Sequence, residues 1–164
     1  MKAKQIELNG SELTISVKKS PLVIRIVLSF VLSIMVLIPI LATYFVLTAG
    51  DGFHIGLAFS FLFFWGLGFY MLRIVLWNSF GREIIVLGRE KIQYTADYKF
   101  FKDGRKEIEI NQLGMEIIFE DEPNDPVGRL RLNSDLNSIE SVIKTRLVEL
   151  EELEKEIKTL YNNG

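Results

Sequence analysis

Two long apolar runs in the first half of the chain constrain its fold more than any other feature. Ile26–Gly50 is twenty-five residues without a charge, and Gly52–Leu72 is twenty-one residues in which only His54 can ionise. A helix rises about 1.5 Å per residue and the hydrocarbon core of a bilayer is about 30 Å thick, so about 20 residues span it. A short break with two glycines, Ala49–Phe53, suits a tight reversal. The runs predict a transmembrane helical hairpin over residues 21–78.

Basic residues on both sides of this hairpin predict its orientation. Lysine and arginine near the ends of a span favour the cytoplasmic side of a membrane. Five of them precede the first run and four more follow the second, whereas the connecting turn has none. Both termini are therefore expected in the cytoplasm, with Asp51 and His54 at the opposite surface. Since no ionisable residue lies at mid-depth in either run, the hairpin is expected to be an anchor and not a transport path.

Outside the hairpin, apolar and polar residues alternate with the period of two that is typical of strands. The dipeptide Asn9-Gly10 predicts a tight type I′ turn between the first two of these segments. A helical pattern follows from Leu136 to Leu160, after N-cap residues that end at Asp135. The seven predicted strands are Lys4–Leu8, Glu12–Val17, Arg82–Leu87, Lys91–Ala96, Arg105–Ile110, Met115–Phe119 and Arg129–Leu132.

These segments predict an α+β domain that the membrane hairpin interrupts. Residues 1–20 would supply an N-terminal β-hairpin, and residues 79–164 would supply five strands and the long C-terminal helix. A five-stranded remnant would leave an exposed sheet edge, which the N-terminal hairpin could cover. The expected fold is a membrane helical hairpin plus a seven-stranded barrel closed by a C-terminal helix, with both transmembrane helices inserted between strands 2 and 3.

Three stretches of sequence carry a resemblance to a known group of proteins. They are Leu13–Ile15 before the first run, Trp77 with Gly81–Leu87 after the second, and Leu136–Ile143 at the start of the final helix. Here the chain resembles small bacterial membrane proteins with two transmembrane helices and a pleckstrin-homology-like cytoplasmic domain, most of them uncharacterised. The resemblance implies a pleckstrin-homology-like barrel and a location in the bacterial inner membrane. In lipid-binding members of that superfamily, basic residues around the first hairpin loop hold phosphates, and the loop Leu8–Ser11 has none.

Residues that carry catalytic or metal chemistry are scarce. There is no cysteine, the single histidine is His54, and no glycine-rich phosphate-binding motif occurs. A metal site normally needs three or four convergent ligands, and a nucleophilic serine needs a nearby base. The chain is therefore expected not to be an enzyme, with no catalytic residue, no metal, no cofactor and no nucleic acid as a partner.

The distribution of charge suggests a contact with lipid. Residues 1–25 carry a net charge of +3 and residues 73–106 carry +4, whereas residues 107–164 carry −8. One stretch combines four cations with three aromatic residues, which suits contact with lipid headgroups. A strand end that alternates core aromatics with solvated lysines would give the same pattern. The candidate lipid contacts are Lys99, Lys102, Arg105 and Lys106.

The end of the C-terminal helix suggests a protein partner instead. Its apolar residues form a stripe of about two heptads, too short to identify a coiled coil. The stripe could dock another membrane-protein subunit or a second copy of the chain, or it could pack on the chain's own barrel. The candidate partner contacts are Leu150, Leu153, Ile157 and Leu160. Docking or assembly is the first functional hypothesis, and recognition of anionic lipid headgroups is the alternative.

Overall fold

The structure is a computed structural model. It describes residues 4–50, 52, 54–110, 114–120, 126–134 and 137–162, with side chains up to residue 159. The chain divides into two compact units, one made of Lys19–Ser79 and the other of Met1–Lys18 together with Phe80–Gly164. Asp51, in the turn between the apolar runs, lies outside the described residues. So do Asp135 and Leu136, where the C-terminal helix was expected to begin.

The unit of residues 19–79 consists of two helices, α1 (Leu22–Thr48) and α2 (Ile55–Phe80). Each is long and apolar enough to cross a membrane, and little of either apolar stretch is buried inside the protein. Hydrogen bonds join the start of α1 to the end of α2. The Ser20 hydroxyl donates to Asn78 Oδ1 at 2.7 Å, and Arg25 Nε donates to the Ser79 hydroxyl at 3.2 Å. The expected pair of long apolar helices is confirmed, and these bonds show that it is antiparallel.

The second unit begins with an antiparallel sheet of five strands in the order β1-β2-β3-β4-β5. The strand β2 pairs with β3 although α1 and α2 lie between them in the sequence, and Thr14 stands opposite Ile84. Alternate residues on β2, β3 and β4 face the core, among them Leu13, Ile15 and Ile85, which are fully buried. The strands are β1 (Ile6–Asn9), β2 (Glu12–Ser16), β3 (Arg82–Leu87), β4 (Lys91–Asp97) and β5 (Lys102–Glu109).

A second antiparallel sheet follows along the chain. Its central strand, β7, pairs with β6 on one side, and β8 and β9 both pair with β7 as well. The strands are β6 (Gly114–Glu120), β7 (Val127–Asn133), β8 (Ser138–Glu140) and β9 (Thr145–Arg146). The helix α3 (Leu147–Asn162) then ends the described chain. The predicted combination of apolar helices, antiparallel strands and a C-terminal helix is confirmed.

The finer prediction of one seven-stranded barrel needs correction. The described strands number nine and form two sheets that do not close into a single barrel. The helix expected from Leu136 begins only at Leu147, because the preceding residues pair with β7 instead. Ile139 is buried opposite Leu132, and the Ser141 hydroxyl accepts the backbone N–H of Leu130. A spacing of three and four residues between apolar side chains is therefore produced here by a short strand and a bend.

The first hairpin turn also differs from its prediction. Asn9 pairs with Glu12, so the two-residue loop is Gly10-Ser11 and not Asn9-Gly10. Gly10 has a φ of +61°, and Ser11 does not share a positive φ. Glycine with positive φ at the first loop position is the requirement of a type II′ turn, whereas type I′ needs positive φ at both.

The helix α3 packs its apolar stripe on the chain's own sheets. Leu150, Leu153 and Ile157 are only 0–3% exposed, and α3 contacts β1, β6, β7 and β9. A Cβ added to Gly128 of β7 would lie 3.2 Å from Leu150 Cδ1, so the helix approaches the sheet closely there. Of the alternatives for the stripe, packing on the chain's own unit therefore applies to these three leucine and isoleucine residues. The fourth, Leu160, lies in α3, and its side chain is outside the described ones.

A carboxylate in the first turn of α3 fastens the helix to the edge strand β1. Glu149 is buried, and its Oε2 accepts the backbone N–H groups of Gln5 at 2.8 Å and Ile6 at 3.3 Å. The guanidinium of Arg146 donates to the other oxygen, with its Nε at 2.8 Å. An acidic residue in this position also suits the positive end of the helix dipole.

A second buried carboxylate joins the first sheet to the segment after β8. Glu83 is fully buried, and its Oε1 accepts the Tyr94 hydroxyl at 2.8 Å and the Val142 N–H at 2.7 Å. Its Oε2 lies 3.4 Å from the N–H of Ile143. Burial raises the pKa of Glu83 above its ordinary value, and the hydrogen bonds offset only part of that rise. Burial, and then the neighbouring Glu83 carboxylate, raises the pKa of Tyr94.

Replacing Leu153 by glutamate is expected to unfold the unit of residues 1–18 and 80–164, because it places a charge in a core position without a partner. The free energy of unfolding should decrease by at least the roughly 2–5 kcal/mol that truncation of a buried leucine costs. Thermal unfolding of the purified protein in detergent measures it. Lys155→Glu, at an exposed position two residues away, is the matched control. An unchanged midpoint for Leu153→Glu would show that the stripe is not part of this core.

The raised pKa of Glu83 predicts a pH dependence of stability. A folded-state pKa above the ordinary 4.5 means that the stability associated with the protonated carboxyl is complete below pH 4.5 and is lost as pH rises through the folded pKa. The side chain in Glu83→Gln cannot ionise. The unfolding midpoint of this variant, minus that of the native protein, should therefore increase from pH 4.5 to neutrality. Unfolding curves over that range test this, and parallel profiles for the two proteins would contradict it.

Candidate functional site

The four basic residues of the candidate lipid contact lie on or beside the turn between β4 and β5. All four side chains are exposed, and β5 is an edge strand of the first sheet. Lys99 belongs to the turn itself, whereas Lys102, Arg105 and Lys106 are on β5. Their proximity in sequence does not make them one cluster, because a bulge interrupts the strand.

The bulge divides the basic residues between the two faces of the sheet. Tyr94 stands opposite Lys106 and Ala96 stands opposite Asp103, so β5 carries one more residue than β4 between these pairs. Gly104, with a φ of +65°, supplies the left-handed conformation that such a bulge requires.

As a result, only two of the four predicted basic residues lie in the same part of the surface. Lys102 pairs with Asp97, on the face turned away from the core, whereas the ammonium of Lys106 lies 5.9 Å from the Tyr94 ring centroid. Arg105 lies 3.6 Å from the Glu107 carboxylate. The structure therefore brings Lys99 and Lys102 together and directs Arg105 and Lys106 elsewhere.

The backbone of the turn is held in an unusual conformation. Lys99 has a φ of +77°, which costs a residue with a Cβ about 1 kcal/mol or more. Its N–H donates to Asp97 Oδ1 at 2.8 Å, and the N–H of Tyr98 donates to the carbonyl of Phe101 at 3.0 Å. The rings of Tyr98 and Phe101 stack with centroids 4.7 Å apart. These contacts fix the turn and leave Phe100 at its tip, 72% exposed.

Asp97 also holds a third cation beside the turn. This carboxylate is 3% exposed, and its Oδ2 accepts Arg82 Nε at 2.8 Å across the β3–β4 pair. The Arg82 side chain remains half exposed. Sequence reasoning missed both residues as parts of a site. Alternation along β4 could have placed Asp97 on the outer face, but only the strand register shows that Arg82 is its neighbour.

A cleft of about 410 Å³ lies beside the turn on the outer face of the first sheet. Three cations and two carboxylates contribute to it, together with two aromatic rings of the turn. We call it the Arg82 cleft. Its lining residues are Glu12, Thr14, Arg82, Ile84, Asp97, Lys99, Phe100, Phe101 and Lys102.

The turn also contacts the last residue of the second apolar helix. The ammonium of Lys99 lies 4.3 Å from the ring centroid of Phe80, within the range of a cation–π interaction. Phe80 ends α2, and Arg82 begins β3 two residues later. Phe80, Arg82 and Lys99 all belong to the unit of residues 1–18 and 80–164.

Comparison with known proteins adds no family to this description. No protein family, curated protein or solved structure matches the chain. The resemblance to pleckstrin-homology-like membrane proteins therefore stays a prediction. Within the described ranges, no group of three histidine or acidic side chains is arranged to hold a metal ion. The arrangement at the turn is instead suited to non-covalent contact with an anionic group.

Proposed function

We propose that this chain is a multi-pass protein of the bacterial inner membrane whose cytoplasmic unit recognises anionic lipid headgroups and catalyses no reaction. The observation that carries the proposal is the β4–β5 turn, where an exposed Phe100 stands between Lys99 and Lys102. A pleckstrin-homology-like fold is part of the proposal, supported by two antiparallel sheets followed by a terminal helix.

The strand pairing and the charge pattern support the proposed side of the membrane. Because β2 pairs with β3, the segments before α1 and after α2 belong to one folded unit and must share one side. Basic residues flank both helices on that side, and positively charged flanks favour the cytoplasm. A cytoplasmic leaflet is also the surface where anionic lipids create a negative potential.

The chemistry of the turn supports contact with a bilayer surface. A large exposed aromatic ring can enter the boundary between headgroups and acyl chains, where its apolar body leaves water. Each lysine or arginine near an anionic surface contributes about 1 kcal/mol of attraction. Lys99 and Lys102 flank the Phe100 ring, and the ammonium of Lys99 also contacts the ring of Phe80.

The docking hypothesis loses its main support. It depended on an apolar stripe without a partner, and three of the four stripe residues are buried within the chain's own unit. Lipid recognition is therefore the better-supported function, with the bilayer as the partner in place of a second subunit.

A fluorescent label at the turn tests this function directly. The chain has no cysteine, so Phe100→Cys can be labelled selectively with an environment-sensitive dye after reconstitution into vesicles. In phosphatidylcholine vesicles that contain phosphatidylglycerol, the emission should shift to the blue relative to phosphatidylcholine alone. High salt should reduce the shift, because it screens exposed charges. The same dye at Phe119→Cys, an exposed phenylalanine on β6, should report no such change.

Charge reversal distinguishes this turn from general electrostatic attraction. Lys99→Glu with Lys102→Glu should abolish the shift at position 100. Lys155→Glu with Lys158→Glu, an equal change of charge on α3, should preserve it. A label at position 100 that responds equally to both vesicle types, or equally in both double variants, would overturn the proposed function.

A further inference from the structure

We infer that the Arg82 cleft binds the phosphate of a polyol-phosphate headgroup and that Arg82 is its main ligand. This inference rests on the proposed function and deepens it, because it assigns a specific site beside the turn that contacts the lipid surface. A volume of about 410 Å³ lies within the roughly 300–1,000 Å³ of small-molecule sites.

The geometry of Arg82 fits a phosphate. Its Nε donates to the buried Asp97 carboxylate, which fixes the plane of the guanidinium. Within the described part of the chain, the terminal nitrogens of Arg82 make no ion pair or hydrogen bond that would compete with a ligand. A guanidinium fixed in this way presents a flat fork of donors, which matches two oxygens of one phosphate.

Asp97 also contacts or pairs with the residues that carry the other two cations of the cleft, Lys99 and Lys102. Its Oδ1 accepts the N–H of Lys99, and Lys102 stands opposite it in the strand pair. Both carboxylate oxygens are thus engaged with donors of the protein. Three cations against this one carboxylate leave a net charge of +2 at this end of the cleft, which favours a phosphate.

The other end of the cleft has the opposite character. Ser16 stands opposite Arg82, so Glu12, four residues earlier on β2, lies about 13 Å along the strand from the row of Arg82. A carboxylate accepts hydrogen bonds from hydroxyl groups and repels a second phosphate. Thr14, between Glu12 and Ser16 on β2, also lines the cleft. The cleft therefore suits a ligand whose phosphate lies at the cationic end and whose hydroxyl groups are directed toward Glu12, which is the chemistry of a polyol phosphate.

Hydrogen–deuterium exchange of the full chain in nanodiscs tests the site. Exchange of residues 82 and 97–102 is followed in phosphatidylcholine discs with added glycerol 1-phosphate or inorganic phosphate, and in discs that contain phosphatidylglycerol. Protection by glycerol 1-phosphate would identify a soluble polyol phosphate as sufficient. Protection confined to the phosphatidylglycerol discs would identify the lipid as the source of the headgroup. Either result supports the site, and no protection in any disc overturns it.

Two variants separate this site from simple attraction between charges. Arg82→Lys keeps the charge but loses the fork of donors, so apparent affinity should fall roughly tenfold. The control Arg89→Lys, at an exposed position outside the cleft, should leave affinity unchanged. Glu12→Gln should weaken the preference for glycerol 1-phosphate over inorganic phosphate.

The inferred phosphate site and the proposed function can be disproved independently. If Arg82→Lys binds as tightly as the native protein, or if inorganic phosphate gives the same protection as glycerol 1-phosphate in discs where both protect, the inferred site is wrong. The dye at position 100 can still report contact with the anionic surface in that case, so the proposed function would stand.

Discussion

The pairing of β2 with β3 is the interaction on which the rest of the structure depends. It joins Glu12–Ser16 to Arg82–Leu87 across both apolar helices, and the N–H of Val17 extends it with a bond to the carbonyl of Gly81 at 2.9 Å. Without it, β3 would be an edge strand and the N-terminal hairpin would have no sheet to join. The other edge of β3 pairs with β4, which places Arg82 opposite Asp97 beside the β4–β5 turn.

Three buried carboxylates then fasten the elements of this unit to one another. Glu83 joins the first sheet to the segment after β8, Asp97 joins Arg82 to the turn, and Glu149 joins α3 to β1. A buried polar group is costly without hydrogen-bond partners, so each carboxylate favours the one arrangement that satisfies it. Apolar burial holds the same elements together but is less specific about their relative positions.

Periodicity in the sequence predicted the apolar helices and the seven longer strands, because each has a clear period over enough residues. It failed for β8, where Ile139 and Ile143 are spaced as on a helix but belong to a strand and a bend. The heptad of α3 predicted the correct buried face, although an apolar stripe does not reveal whether a sheet or another chain covers it. Lys99 and Lys102 were found by composition, whereas Arg82 and the bulge at Gly104 depend on strand register, which no local pattern contains.

The central claim, that one folded unit is built from segments on either side of the helical hairpin, can be tested by a disulfide. Thr14 and Ile84 are direct partners across β2 and β3, so cysteines at these positions should lie within the roughly 4.4–6.8 Å that a disulfide needs between Cα atoms. The account predicts that Thr14→Cys with Ile84→Cys, in a chain without other cysteines, forms an intramolecular disulfide when isolated membranes are oxidised. Glu12→Cys with Ile84→Cys, two residues out of register, should react far more slowly. Equal rates for both pairs, or no disulfide in either, would contradict it.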